Sequence, residues 1–374
     1  MSDRSGKEKP VKYFDYSLLF LIIFLVGFGL VMLYSVSSYE AEGSFGNAAY
    51  YLERQGIFAL GGMAGMLLIS RIPYGFWKKV SPIVYLLAFL LCAAVIFVGD
   101  DAGGSQRWLQ IGPIRFQPSE LAKIGVIIYV AAVLSKMPRK IRDFKTVVKV
   151  LIRVAPIILV IAKSNLSTGI IVAGICILMM FVASPKYSHF FALAGVVAAA
   201  GAVFILTQSY RSARILAWLH PEDYPDDAYQ TLQGLYAIGS GGLFGKGLGA
   251  SIQKMGYVPE AQNDFIFTII CEELGLFGAI CVILLFVLLL WRFMVIANNA
   301  ADLFGSMIVV GVMAHIALQV VLNLAVVTNT IPNTGVTLPF ISYGGTSMVI
   351  LLAEMGLVLS VSRGIRFDGE VPME

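Results

Sequence analysis

Apolar runs of roughly 17 to 25 residues follow one another from Ser17 to Ser360, and this recurrence leaves the chain few ways to fold. Each run is about long enough to cross a ~30 Å hydrocarbon core as a helix rising ~1.5 Å per residue. Across 374 residues the side chains are 58% hydrophobic and only 13% charged, well outside the range of a soluble domain. No polar segment could build a core of its own. The expected fold is therefore all-α: a polytopic membrane protein forming a single integral domain over residues 1–374.

Charge and Gly/Pro clusters bound about ten spans, at 17–37, 55–71, 80–98, 119–136, 147–162, 167–184, 188–208, 264–292, 303–328 and 340–362. The fifth and sixth are short and separated only by KSNLS, so one or both read as half-helices. The first run follows Arg4, Lys7, Lys9 and Lys12, as a signal peptide would. It shows no small-residue cleavage site and is expected to stay as a span. With the N-terminus cytoplasmic, 18 of the 27 lysines and arginines fall on the inner side. Both termini are then cytoplasmic, residues 1–16 as a basic N-terminal segment and 363–374 as a tail. The unusual segments, 103–120, a large loop 209–263 between spans seven and eight, and 328–339, all fall outside, where no ATP is available.

Acids inside such a chain need explaining, because a charge near the bilayer centre costs at least ~2.5–3.5 kcal/mol. Asp264 opens the eighth span at its mouth, where an acid can cap the helix or do chemistry. Glu272 and Glu273 lie about 12 Å deeper along a helix. They read as structural partners of a cation such as Lys123 or Lys163. On the ninth span His315, Gln319 and Asn323 recur at intervals of four on one face, and Glu354 lies deep in the tenth. Interhelical hydrogen bonding accounts for these four and implies a polar interior.

The stretch AIGSGGLFGKGLGAS fails as a Walker loop in spacing and in the residue after Lys246. Its glycines fit either a flexible connection or a backbone that approaches an anion, with Lys246 adding charge. The mixture in GGSQRWLQIGPIRFQPSELAK suits a loop folded back on the interface, with Arg107 and Arg115 as phosphate contacts or as anchors. Cys92, Cys176, Cys271 and Cys281 lie in apolar runs without metal-ligand spacing and read as small hydrophobes. The net charge of +4 follows the membrane and does not point to nucleic acid.

Taken in order, GGSQRWLQIGPIRFQPSELAK, YQTLQGLYAIGSGGLFGKGLGASIQK, VPEAQNDFIFTIICEELG and NTGVTLPFISYGGTS closely resemble the SEDS family of bacterial cell-wall polymerases. LPFISYGGTS and the early LYSVSS look more like the FtsW and SpoVE branch than the RodA branch. The resemblance implies a peptidoglycan glycosyltransferase of the bacterial cytoplasmic membrane that polymerises lipid II, in division or sporulation. It implies a class B penicillin-binding protein as partner, with other division or sporulation membrane proteins. The family's essential aspartate falls on Asp264, and its loop arginine, glutamate and lysine on Arg115, Glu120 and Lys123. Two departures stand out: KSNLSTG replaces the usual PDLGT, putting Asn165 where an aspartate is common and Ser167 in place of glycine, and AVVTNTIP replaces a glycine-rich approach to NTGVTLP.

On this reading Asp264 takes the proton of the attacking sugar hydroxyl, while Lys123 and Arg115 receive the departing diphosphate and Glu120 orients Lys123 or the sugar. The 239–249 glycine loop is a secondary contact, and Arg107, Lys246, Glu260 and Asn323 complete the expected substrate-binding set. Glu272, Glu273, His315, Gln319 and Glu354 support from behind. No all-protein metal cage is apparent and the residues identify no cofactor, with a divalent cation left open. The competing reading is a lipid II flippase, since buried His, Gln, Asn and Glu also suit a transport path.

Overall fold

The computed structural model describes residues 14–102, 105–112, 114–137, 143–184, 186–191, 195, 199, 201, 216–221 and 223–365. Ten helices run through the described residues: α1 Tyr16–Phe45, α2 Tyr50–Arg71, α3 Tyr74–Val98, α4 Pro118–Lys136, α5 Phe144–Ser164, α6 Leu166–Ala183, α7 Pro225–Ser240, α8 Ile266–Asn298, α9 Leu303–Val327 and α10 Gly345–Ser362. Seven of them, α1, α3, α4, α6, α8, α9 and α10, are long and apolar enough to cross a membrane. Helices α2 and α5 occupy two more of the expected spans but carry Glu53, Arg54 and Arg71, and Lys145, Lys149, Arg153 and Lys163, respectively. The expected span 188–208 lies largely outside the described residues, as do 1–13 and the tail from 366.

Two expectations about elements need correcting. The fifth and sixth runs are not half-helices: α5 has 21 residues and α6 has 18, and they meet at Asn165 alone. Asn165 ends α5 and accepts a hydrogen bond from Thr168 N at 3.1 Å, so it starts α6 as an N-cap. Nor is the fold wholly helical. Residues 100–116 form a small antiparallel meander, β1 Asp100–Ala102, β2 Ser105–Ile111 and β3 Ile114–Phe116, in the order β1-β2-β3. Gly112, with φ of 62°, makes the tight β2–β3 turn, after which Gln110 faces Arg115 and Leu109 faces Phe116.

The helix ends follow ordinary capping chemistry. Asp15 accepts from Leu18 N and Asp302 from Gly305 N, while Pro118 and Pro225 occupy first-turn positions that lack an intrahelical partner. Close packing comes from small residues, as between α2 and α10, where a Cβ on Gly356 would sit 2.7 Å from the Met66 carbonyl oxygen. Helix α9 is central, packing on α4, α6, α8 and α10. The described chain ends lie together: Arg363 sits over the Phe14 ring at 4.8 Å, and Arg292 bonds the Asp15 carboxylate at 2.7 Å. That pairing holds the beginning of α1 to the far part of α8, at the end of the bundle away from Asp264.

The segment expected as a large loop at 209–263 carries a helix and packs on the bundle from residue 223 onward. Helix α7 packs along the first turns of α8, and the chain after it turns back against an interruption in α8 at Gly275, which has φ of 69° and ψ of −168°. Gly241 and Gly245 meet this break backbone to backbone. A Cβ on Gly245 would lie 2.1 Å from the Glu273 carbonyl oxygen. Lys246 N and Gly247 N donate to the carbonyls of Glu272 and Glu273, and Leu276 N and Phe277 N donate to Gly242 and Leu243. The glycines therefore close a helix break, and the N–H groups of Gly245, Lys246 and Gly247 are committed to carbonyl oxygens instead of being open to an anion.

Candidate active site

Asp264 stands just before α8, half-buried, on a turn that begins at Glu260. Its carbonyl oxygen accepts from Asn323 Nδ2 at 2.7 Å, and the same amide donates to Val336 O at 2.7 Å. Asn323, fully buried on α9, thus ties the start of α8 to the 328–339 segment. A Cβ on Gly335 would be 3.9 Å from Asp264 Oδ2, so the carboxylate faces this left-handed turn of NTGVTLP. A third residue binds the surrounding strands of chain together: Gln230 on α7 donates to Pro259 O at 2.9 Å and accepts from Asn333 at 3.1 Å. Sequence reasoning gave Gln230 no role, because a glutamine on a helix carries no signal of what it bridges.

Lys123 and Glu120 form a buried pair on α4, Nζ to Oε1 at 2.8 Å, with Lys123 only 1% exposed and Glu120 6%. The other Glu120 oxygen is buried without a partner. These two residues share a helical face with Ile127, which meets Gly311 of α9. One turn beyond that crossing, Lys123 on α4 and His315 on α9 are at matching depth, and Gln319 and Asn323 continue toward Asp264. Arg115 lies exposed on β3, and its carbonyl accepts from Thr346 Oγ1 at 3.3 Å, joining the meander to the start of α10. Arg107 is half-buried on β2 and borders a crevice of about 10 Å³ that Asn165, Gln117 and Ser119 also line.

The deeper acids have other partners than expected. Glu272 pairs with Lys246 at 2.7 Å and accepts from Ser251 Oγ and Ser240 Oγ, with the backbone N–H groups of Ile252 and Gln253 adding to it. Glu273 pairs with Lys254 at 2.8 Å and accepts from Ser35 Oγ at 2.6 Å. Neither Lys123 nor Lys163 provides the cation. The lysines come instead from the segment that folds back on α8, which sequence spacing could not reveal. Lys246, placed in the substrate-binding set by sequence, has its ammonium on Glu272, with the side chain 31% exposed.

The polar face of α9 is distributed among three tasks. His315 Nδ1 meets Glu354 Oε2 at 2.8 Å with both side chains fully buried, and Gln319 donates to Thr337 Oγ1 at 3.4 Å. Asn323, expected in the substrate-binding set, gives its side-chain amide N–H groups to two backbone carbonyls. Glu260 is exposed, has φ of 48°, and accepts from Asn263 Nδ2 at 2.9 Å. Beyond the turn, Gln55 of α2 donates to Ser342 O and accepts from the N–H groups of Gly344 and Gly345, fixing the ISYGGTS bend. Among the described residues no three His, Cys, Asp or Glu side chains converge as metal ligands, and the four cysteines are free, three of them buried.

The arrangement offers a half-exposed carboxylate on a well-braced turn and an exposed arginine at the same end of the bundle, with a buried lysine–glutamate pair about two helical turns deeper. Comparison with known proteins shows the family. The family profile described as "Cell cycle protein", covering FtsW, RodA and SpoVE, matches residues 16–366. Stage V sporulation protein E of Bacillus subtilis (strain 168) is 40% identical over 94% of this chain and 98% of its own length. A probable peptidoglycan glycosyltransferase FtsW from Trichlorobacter lovleyi is 38% identical over 96% of each. Both relatives fall in the branch suggested by LPFISYGGTS and LYSVSS. A solved structure on "structural coordination of polymerization and crosslinking by a peptidoglycan synthase complex" superposes with a TM-score of 0.77 at 28% identity, covering 94% of this chain and 98% of that one.

Proposed function

The chain belongs to the FtsW/RodA/SpoVE family, and from that premise we propose that it is a peptidoglycan glycosyltransferase that polymerises lipid II at the outer face of the bacterial cytoplasmic membrane. The carrying observation is the placement of Asp264: half-exposed, facing the Gly335 turn, with its backbone gripped by Asn323. A carboxylate so held is suited to accept a proton without having to be reorganised first. In the proposed step, the acceptor sugar oxygen bonds to the anomeric carbon of the donor, and that carbon's bond to the lipid diphosphate breaks. The hydroxyl proton passes to Asp264, and the electron pair leaves with the diphosphate.

Arg115 is the exposed cation for the leaving group, while Lys123, held by Glu120, contributes from the wall of the bundle. Because Lys123 is already paired, its share of the stabilisation is smaller than an unpaired lysine would give. By analogy with the synthase complex, the partner is a class B penicillin-binding protein that cross-links the new strand, acting with other division or sporulation membrane proteins. The buried His315–Glu354 pair supports the second reading, passage of the lipid precursor across the bundle without polymerisation.

The deciding experiment supplies labelled lipid II to the purified chain with its partner and resolves the products by size. Glycan ladders are expected from the native chain, and none from Asp264→Ala in an equally assembled complex. Full-length ladders from the alanine variant would remove Asp264 from the chemistry, and lipid II crossing vesicles without ladders from the native chain would favour transport.

A further inference from the structure

Helix α1 is longer than a membrane requires. Its 30 residues extend about 45 Å, some 15 Å more than a hydrocarbon core of about 30 Å. The Asp15–Arg292 pair fixes its beginning at the end of the bundle away from Asp264, so the surplus, VSSYEAEGSF, projects at the Asp264 end. There it flanks a cavity of about 240 Å³ whose other wall is the chain leading into Asp264. Tyr39 and Glu40 line it from α1, and Lys254, Val258, Glu260 and Gln262 from the facing turn.

We propose that this cavity is a saccharide subsite that holds a ring of the glycan strand one or two units away from the reacting sugar; the assignment rests on the reading of the chain as a glycan polymerase. Charge decides the ligand class. Lys254 turns its ammonium to Glu273 at 2.8 Å, leaving Glu40 and Glu260 as the charges that face the cavity. Such a wall repels phosphates and carboxylates and accepts hydrogen bonds from hydroxyl groups.

The Glu40 carboxylate is set in advance, since its Oε1 receives bonds from Tyr51 at 3.2 Å and Gln262 at 3.1 Å. Tyr39, 57% exposed, presents a ring on which the C–H face of a sugar can stack. The volume falls below the ~300–1,000 Å³ of pockets for drug-sized ligands and suits a single ring. Glu260 holds a left-handed backbone at φ of 48°, a conformation that costs a non-glycine residue energy and is concentrated at functional turns. Distance completes the case: Gln262 is two residues from Asp264, at most about 7 Å along an extended chain.

The test uses the full-length Asp264→Asn protein in nanodiscs, where polymerisation is off, titrated with a soluble β-linked N-acetylhexosamine tetrasaccharide and read by saturation-transfer NMR. Saturable binding is expected, weakened about tenfold by Tyr39→Ala and restored by Tyr39→Trp. In the chain with Asp264 intact, Tyr39→Ala is expected to shorten the glycan ladder several-fold. Absence of saturable binding, an unchanged affinity in Tyr39→Ala, or displacement of the sugar by an equal concentration of a simple diamine would overturn the subsite, the last by showing a cation site. Persistence of full ladders in Asp264→Asn would instead sink the proposed chemistry, leaving the tetrasaccharide titration to judge the cavity separately.

Discussion

Asp264 and the pair Glu272–Glu273 belong to one short stretch, NDFIFTIICEELG, yet the fold treats them in opposite ways. The deeper acids are fully buried, each joined to a lysine and to serine hydroxyls from elsewhere in the chain. Asp264 is half-exposed, and what the fold holds tightly there is its backbone, through Asn323. The donors around Glu272 and Glu273 fix a helix break and a returning segment, whereas at Asp264 the main chain is braced and the carboxylate faces the Gly335 turn, the placement on which the proposed proton transfer rests. Carboxylates within ten residues of one another thus differ in burial and in which part of the residue the fold grips.

The largest effect that sharpens this contrast is on activity. Asp264→Asn is expected to lower polymerisation by about 10²–10⁴-fold while thermal unfolding in detergent stays unchanged. If Glu272→Gln abolished turnover as completely in a folded protein, the division between the two regions would break. Next comes Lys254→Met, which strands Glu273 as a buried charge and is expected to cost about 3–5 kcal/mol in an unfolding titration. The double variant Lys254→Met, Glu273→Gln should recover much of that loss, and failure to recover would mean that the pair is not the source of the stability.

Smaller effects separate support from contact. Asn323→Ala removes two hydrogen bonds from buried carbonyl oxygens, at about 1–3 kcal/mol, and is expected to reduce kcat about tenfold with little change in KM. A rise in KM alone would restore Asn323 to the substrate-binding set. Lys246→Met should change stability least, under about 1 kcal/mol, because its side chain is partly exposed and Glu272 keeps its serine and backbone donors. A loss as large as that of Lys254→Met would erase the difference in burial between the two pairs.

Much of the fold was legible because hydrophobic length and capping chemistry are local. The apolar runs located α1, α3, α4, α6, α8, α9 and α10, and the polar spacing on α9 indicated an inward face, which His315, Gln319 and Asn323 occupy. The meander at 100–116 was not legible, since Gly/Pro turns there read as loop without a partner strand in view. The partners of Glu272 and Glu273 were misassigned for a related reason. Spacing along a helix names a face, whereas Lys246 and Lys254 reach that face only after the chain has turned back through α7 and the glycine segment.

By itself, then, the sequence determined that this is a helical membrane protein, where most of its helices run, and which motifs place it in its family, because length, hydropathy and motif order need no knowledge of contacts. Only the tertiary structure decided which lysines neutralise Glu272 and Glu273, and that Asn323 braces Asp264 across α9. Pairing depends on the position of side chains brought together from 19 to 238 residues apart, as between Lys254 and Glu273 or Ser35 and Glu273, and no local rule encodes that distance.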